Sequence, residues 1–190
     1  MKKLLIATRN ENKVREMRAV LGDSVELVPL PDNAPEVVED GKTFYENALK
    51  KARQYSQYSN LPTIAEDSGL EVEALGGAPG IYSARFAGAS AGSKENNRLL
   101  LEKLAGISAE NRRARFVCCI VYKDGDVEKS FEGEVWGTIA LEEAGETGFG
   151  YDPLFIPEGF NRTFAQLPIE VKNSMSHRFN AIKKLCKYIG

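Results

Sequence analysis

The sequence has little of the chemistry from which metal cages and disulfide scaffolds are built. Of its 190 residues only three are cysteine (Cys118, Cys119 and Cys186) and only one is histidine, His177. No C-x-x-C pair occurs, so neither a disulfide framework nor a four-cysteine zinc site can be assembled. A lone histidine excludes multi-histidine zinc sites and relays that need two imidazoles. A Ser-His-Asp triad survives the count, but no G-x-S-x-G elbow supports one. Long apolar runs are missing as well. Phe116 to Tyr122 is among the longest, far below the ~20 residues of a membrane span. The apolar stretch Leu4 to Ala7 ends at Thr8-Arg9-Asn10, too short for the core of a signal peptide. Free thiols without an export signal make the cytoplasm the expected compartment, with no membrane partner. Charge of one sign is also lacking: 25 basic and 27 acidic side chains leave a net charge of −2. A protein that coats nucleic acid needs a basic field, so no nucleic-acid partner is expected.

What is present suits a soluble globular chain. Hydrophobic residues make up 43% and charged residues 27%, which excludes wholesale disorder. The length fits one domain of roughly 100–200 residues, or two lobes sharing a core. Lys3 to Thr8 reads as a buried strand. A helical period begins at Glu11, with Val14, Met17, Val20 and Leu21 on one stripe and Gly22 at the C-cap position. Val25 to Val28 is a short strand, followed by a proline-rich acidic loop (Pro29, Pro31, Pro35, Glu36, Glu39, Asp40). Thr43-x-x-Glu46 is a capping box opening a helix to about Ser59. Pro62 to Glu66 and Leu70 to Leu75 read as two strands. Six of the 17 glycines lie from Gly69 to Gly92, where the chain turns tightly or admits a ligand to its backbone. Ser93 is expected to cap a helix to about Leu104. Arg113 to Lys123 and Val127 to Thr138 form a hairpin at Asp124-Gly125. A glycine-rich loop spans Gly145 to Pro153, and a last helix starts near Ser176. The class is α/β, with a mixed sheet.

Four segments could carry chemistry. Thr8-Arg9-Asn10-Glu11-Asn12-Lys13 crosses a strand-to-helix junction, where free N–H groups and the helix dipole attract anions. Arg9, Lys13 and Arg15 oppose that dipole by ~0.3–1 kcal/mol each when exposed, an excess that an incoming phosphate would relieve. A solvated basic turn is the equal alternative, and no Walker A pattern precedes Lys13. Glu39 and the run Ala65-Glu66-Asp67-Ser68-Gly69 supply carboxylates at a loop and a strand end, the parts of a Mg²⁺–phosphate site. Two exposed acidic turns would explain them as well. Phe149-Gly150-Tyr151-Asp152 could stack on a planar base, a contact worth ~1–3 kcal/mol, or fill the core. Lys172 and Ser176-His177-Arg178 put donors near another helix start, where simple capping is the plainer alternative.

Taken in order, these segments resemble the family of non-canonical purine nucleoside triphosphate pyrophosphatases, the house-cleaning ITP/XTP/dITP diphosphatases. The matching text is Ala7 to Lys13 (Ala-Thr-x-Asn-x-x-Lys), Thr43 to Ala48, Asp67 to Leu70, Leu75 to Arg85, Phe149 to Pro153 and Ser176 to Arg178. It covers nearly the whole chain. The resemblance implies a long mixed central sheet flanked by helices, two lobes with a nucleotide cleft between them, and a homodimer. It implies Mg²⁺-dependent hydrolysis of ITP, dITP and XTP to the monophosphate and pyrophosphate. Carried over, Thr8, Arg9, Asn10, Glu11, Asn12 and Lys13 would hold the triphosphate. Glu39 and Asp67 would serve the metal, with Asp67 also the base for the attacking water. Lys51 and Ser68 would touch substrate. Phe149, Gly150, Tyr151, Asp152, Lys172, His177 and Arg178 would surround the base and adjoining groups, Lys172 and Arg178 donating to the purine O6. Two departures stand out, since many relatives have Gly at the place of Arg9 and Asp at that of Glu66. Competing readings are a Maf-type nucleotide pyrophosphatase, disfavoured by the Phe149–Pro153 and Ser176–Arg178 blocks, and a nucleotide-binding module without turnover, disfavoured by the presence of both Glu39 and Asp67.

Overall fold

The structure is a computed structural model that describes residues 2–190. Six strands form one mixed sheet: β1 (Lys2–Ile6), β2 (Val25–Pro29), β3 (Thr63–Val72), β4 (Arg113–Asp124), β5 (Val127–Ile139) and β6 (Phe155–Pro157), in the order β2-β1-β3-β4-β5-β6. β1 runs parallel to β2 and to β3, whereas β5 and β6 are antiparallel. Neighbouring β4 and β5 are joined through Gly125-Asp126 alone, a connection open only to antiparallel strands; Gly125 supplies the positive φ of 54°. The helices are α1 (Glu11–Leu21), α2 (Phe44–Tyr55), α3 (Ser93–Lys103), α4 (Ile169–Met175) and α5 (His177–Ile189). Among the described residues no helix is long and apolar enough to cross a membrane.

Several local expectations hold. Gly22, with φ 61°, is the C-cap of α1. Thr43 Oγ1 accepts from Glu46 N at 3.1 Å, but the Glu46 carboxylate reaches back to Lys42 N at 2.6 Å rather than to the cap residue itself. Three expectations need correction. The two strands read at Pro62–Glu66 and Leu70–Leu75 are one ten-residue strand, β3 (Thr63–Val72), which runs unbroken through Ser68-Gly69, and Glu73–Leu75 forms a 3-10 turn after it. Ser93 is the first residue of α3, not its cap; Gly92 takes that place, its N–H held by Glu95 Oε2 at 3.0 Å. Lys172 lies in α4, a separate helix preceding α5 that the sequence did not announce.

The chain divides into two compact units. The first comprises the chain up to Asp67, Cys118–Gly133 and His177–Gly190; the second comprises Ser68–Val117 and Glu134–Ser176. In the first unit, strand alternation sorts the apolar side chains onto two faces. Leu4, Ile6, Ile64, Cys118 and Ile120 pack with Met17 and Leu21 of α1 and Ala181, Ile182 and Leu185 of α5. Leu5, Ala7, Ala65 and Val121 pack with Ala48, Ala52 and Tyr55 of α2. Close approach of α5 to β5 requires glycine at 133, where a Cβ would lie 2.1 Å from His177 O and 2.3 Å from Ala181 N.

The second unit is built on its own core of Leu70, Val72, Leu100, Leu104, Phe116, Leu154 and neighbours. Within it Phe116, Phe155 and Phe164 meet with ring centroids 4.7, 5.1 and 6.2 Å apart. Buried Arg112 donates to Leu104 O, Ile107 O and Ala140 O at 2.9–3.0 Å, so one cation ties the carbonyls after α3 to the one that follows β5.

Candidate active site

β3 delivers two consecutive carboxylates, and the pleat sends them to opposite faces of the sheet. Glu66 follows Ile64 toward α1 and α5, while Asp67 follows Ala65 toward α2. Their surroundings differ accordingly.

Glu66, 1% exposed, is the anion at the centre of a buried ion-pair knot. It accepts from Arg178 Nε at 2.7 Å, from Arg178 Nη2 at 3.0 Å and from Lys13 Nζ at 2.8 Å. Arg178, also 1% exposed, donates its Nη1 to Glu16 of α1. Cys118 Sγ lies 3.4 Å from Glu66 Oε2. Burial alone would raise the Glu66 carboxyl, but the charges of Arg178 and Lys13 outweigh it and hold the group well below its usual range. Burial likewise works against the Lys13 ammonium, and Glu66 reverses the effect and raises it. The Cys118 thiol is pushed far up, by burial first and by Glu66 second.

Asp67 sits among fewer charges, on the α2 side. Its Oδ1 is 3.4 Å from Lys51 Nζ, and the same nitrogen is 3.1 Å from Glu39 Oε1. Its Oδ2 accepts from Asn47 Nδ2 at 3.1 Å. Burial raises the Asp67 carboxyl and prevails over the opposing charges of Lys51 and Lys13. Glu39 and Asp67 are thus brought to one cation, as the two-carboxylate reading of the sequence requires. Two converging oxygen donors, rather than a closed cage, are what a phosphate-bound Mg²⁺ takes from protein. Among the described residues no group of three or more His, Cys, Asp or Glu side chains could hold a metal.

The turn from β1 into α1 is ordered by its own side chains. Asn10 N donates to Thr8 Oγ1 at 3.1 Å, and Asn10 Oδ1 caps α1 by accepting from Asn12 N and Lys13 N at 3.1 and 3.2 Å. Two first-turn N–H groups expected to be open to an anion are therefore engaged by Asn10. Glu11 and Arg9 are exposed at this turn. Arg9 does not simply point to solvent: Nη2 donates to Ala34 O and lies 3.5 Å from Pro31 O and Asp32 O, tying the turn to the loop that leads to Glu39.

In the second unit, Asp152 and Lys172 form a buried pair, Nζ to Oδ2, at 2.5 Å. Asp152 Oδ2 also accepts from Phe149 N at 2.8 Å, closing the glycine-rich loop on itself. Gly148, with φ 78°, allows this closure, since a Cβ there would meet Asp152 Oδ2 at 2.2 Å. Lys172 Nζ stands 5.0 Å from the centre of the half-buried Phe149 ring. Gly150 turns with φ 62°. Tyr151 corrects the stacking reading: its ring belongs to the apolar core and its hydroxyl donates to Ser83 O at 2.9 Å. Ser68 is half-buried, in β3 next to Asp67.

At α5, His177 is buried, which disfavours the plain-capping alternative of an exposed side chain. One placement differs from expectation. Arg178 is drawn into the knot with Glu66 and Glu16, not held out as a donor for a purine oxygen. Asn47 and Glu16 were missed by sequence reasoning. Two signals for Asn47 were present without a role being read from them: it falls in the Thr43–Ala48 block that carries the resemblance, and it is a polar residue on the apolar stripe of α2, between Phe44, Ala48 and Ala52.

A family model described as the Ham1 family matches residues 4–188. A dITP/XTP pyrophosphatase of Geobacter sulfurreducens is 46% identical over 194 residues, covering 100% of this chain and 98% of the relative. Among solved structures, a HAM1 protein from Coxiella burnetii superposes with a TM-score of 0.90 at 36% identity, covering 100% of this chain and 98% of the other. The Ham1 protein of Staphylococcus aureus gives 0.88 at 41% identity, with 99% and 98% covered.

Proposed function

The chain belongs to the Ham1 family, and from that membership we propose that it is a nucleoside triphosphate pyrophosphatase acting on dITP, XTP and ITP. It releases the monophosphate and pyrophosphate by attack of water at the α-phosphorus, and so clears damaged purines from the nucleotide pool. The dITP/XTP pyrophosphatase relative that matches the chain end to end supports the reading. The observation that carries it is the meeting of Glu39 and Asp67 on the ammonium of Lys51.

Glu39 and Asp67 would hold a divalent ion, which we take to be Mg²⁺; when bound, it supplies charge neutralisation at the phosphate oxygens. The rest follows from the chain's own groups. Asp67 accepts the proton of the attacking water, and its burial favours that proton uptake. Lys51, already within reach of Asp67, turns its charge to the polyphosphate. Thr8 to Lys13 orient the tail, and Lys13 can exchange Glu66 for a phosphate oxygen because its side chain keeps 17% exposure. Phosphoryl transfer asks mainly for positioning and charge stabilisation, so no covalent nucleophile is needed. Phe149 offers a half-buried ring and Lys172 a cation for the base edge. Ser68, Gly150, Tyr151, Asp152, His177 and Arg178 remain candidate substrate contacts, the last needing release from its carboxylates. A homodimer in the cytoplasm is the proposed setting, with a small-molecule nucleotide as partner and neither nucleic acid nor membrane.

The test is direct. Purified protein with Mg²⁺ is offered dITP, XTP, ITP, ATP, dTTP and UTP, and pyrophosphate is distinguished from orthophosphate. Pyrophosphate from the first three is expected. Orthophosphate as the first product, or equal turnover of dTTP and UTP, would overturn the proposal.

A further inference from the structure

Asn47 stands apart from the apolar residues around it on α2. It is a polar side chain with 0% exposure in a helix, where asparagine is a poor former and an unpaired amide costs ~1–3 kcal/mol. Both ends of its amide are used, and both go to the acidic site. Nδ2 donates to Asp67 Oδ2 at 3.1 Å, and Oδ1 accepts from Gly41 N at 2.8 Å. Gly41 lies two residues after Glu39.

One turn further along the same helix, Lys51 makes the matching pair of contacts, to Glu39 Oε1 and to Asp67 Oδ1. Residues four apart share a helix face, so Asn47 and Lys51 form a two-rung brace. Each rung joins the loop bearing Glu39 to the middle of β3, where Asp67 stands. The rungs are not equivalent. Lys51 is a cation that an incoming phosphate can draw away, whereas the neutral amide of Asn47 has no such competitor. A second observation shows how closely the loop is fitted to the amide. A Cβ on Gly41 would lie 2.6 Å from Asn47 Oδ1 and 2.8 Å from Glu46 Cβ, so only glycine lets the loop backbone reach this acceptor.

We infer that Asn47 is a positioning residue for the hydrolytic reaction: its amide fixes the rotation of the Asp67 carboxylate and the spacing of the Glu39 loop, leaving Oδ1 for the reacting groups. The inference rests on the functional reading above. Asn47 is not a catalytic residue, because it acts through Asp67.

The experiment compares Asn47→Ala, Asp67→Asn and the double variant with the wild type. The readouts are kcat and KM for dITP, calorimetric affinity for the product dIMP, and thermal unfolding. Asn47→Ala should lower kcat about 10- to 100-fold, the usual cost of losing a group that orients a ligand. KM and dIMP affinity should stay within about threefold, because the polyphosphate turn and base contacts are untouched. In the Asp67→Asn background the same substitution should change kcat less than about threefold, since the group it orients is already lost. A folded Asn47→Ala protein with wild-type kcat, or a loss that multiplies fully onto that of Asp67→Asn, would overturn the inference. Should Asn47→Ala not fold, Gly41→Ala, which displaces the loop from the amide, is read by the same criteria. A wild type that releases no pyrophosphate would instead overturn the functional reading, a result distinct from any pattern among the variants.

Discussion

Replacing Glu66 by glutamine tests the electrostatic knot most directly. The substitution keeps the shape of the side chain and removes its charge. Arg178, 1% exposed, loses the carboxylate it pairs with through Nε and Nη2 and keeps its contact with Glu16, and Lys13 loses the anion 2.8 Å from its ammonium. The glutamine amide also turns a donor toward a guanidinium that has only donors to offer. Removing one partner of a buried ion pair costs ~3–5 kcal/mol, because the other charge stays desolvated without compensation. For a chain of this size each kcal/mol moves the midpoint by about 2–4 °C, so Tm should fall by about 6–20 °C. Scanning calorimetry at neutral pH reads this, and a fall below about 2 °C would refute the argument. The pH dependence gives an independent check. The Glu66 carboxyl is held below its usual range in the fold, so its contribution is fully present above the unfolded value of about 4.3 and is lost as pH falls through the folded value. The gap between wild type and Glu66→Gln should therefore be constant from pH 6 to 8 and should close in acid. A gap that widens as the pH falls would mean that some other group dominates.

Gly133→Ala should destabilise by at least ~1–3 kcal/mol, because the new methyl meets the α5 backbone at three atoms rather than a yielding side chain. An unchanged denaturant midpoint would contradict this. Thiol chemistry offers a simpler measurement. Cys118 and Cys119 are buried, the latter with its thiol pushed up to about 12 by burial first and Glu132 second, whereas Cys186 is half-buried. Under native conditions a thiol-reactive disulfide reagent should modify Cys186 alone, and all three thiols after unfolding; rapid native labelling of Cys118 would show that the knot opens readily.

What the sequence made legible was local. The Gly22 stop, the Thr43 cap and the Asp124-Gly125 hairpin each depend on residues within four positions of one another; the first two were found where the spacing put them, and the hairpin turns one residue later, at Gly125-Asp126. Ser68-Gly69 misled because glycine weakens a strand in isolation, whereas here buried strand neighbours carry β3 through it; Ser83 Oγ accepts the next N–H, that of Leu70, at 2.9 Å. The acidic pair could be named from its residue types, but not the way the two neighbours are divided. That Glu66 would pair with Arg178, 112 positions away, and Asp67 with Asn47, 20 away, follows from which face of the strand each occupies. A local pattern does not carry that. For the same reason Arg178 read as an available donor, since nothing within four residues of it reveals Glu16 or Glu66. The aromatic of Tyr151 was legible as an aromatic, yet the core that buries its ring and the acceptor of its hydroxyl, Ser83 O from 68 positions earlier, are not local.

The pleat of β3 has one more consequence. Two adjoining acids in unlike surroundings, one locked in an ion-pair knot and one beside the lysine of α2, are kept apart by nothing more than the odd-and-even count of a strand. A duplication or loss of one codon between Thr63 and Glu66 would exchange their compartments, leaving the shorter acid to face the guanidinium and the longer one the lysine of α2. Indels in the turn ahead of Thr63 carry no such penalty, so drift in length belongs there, while the strand itself admits substitution but not slippage.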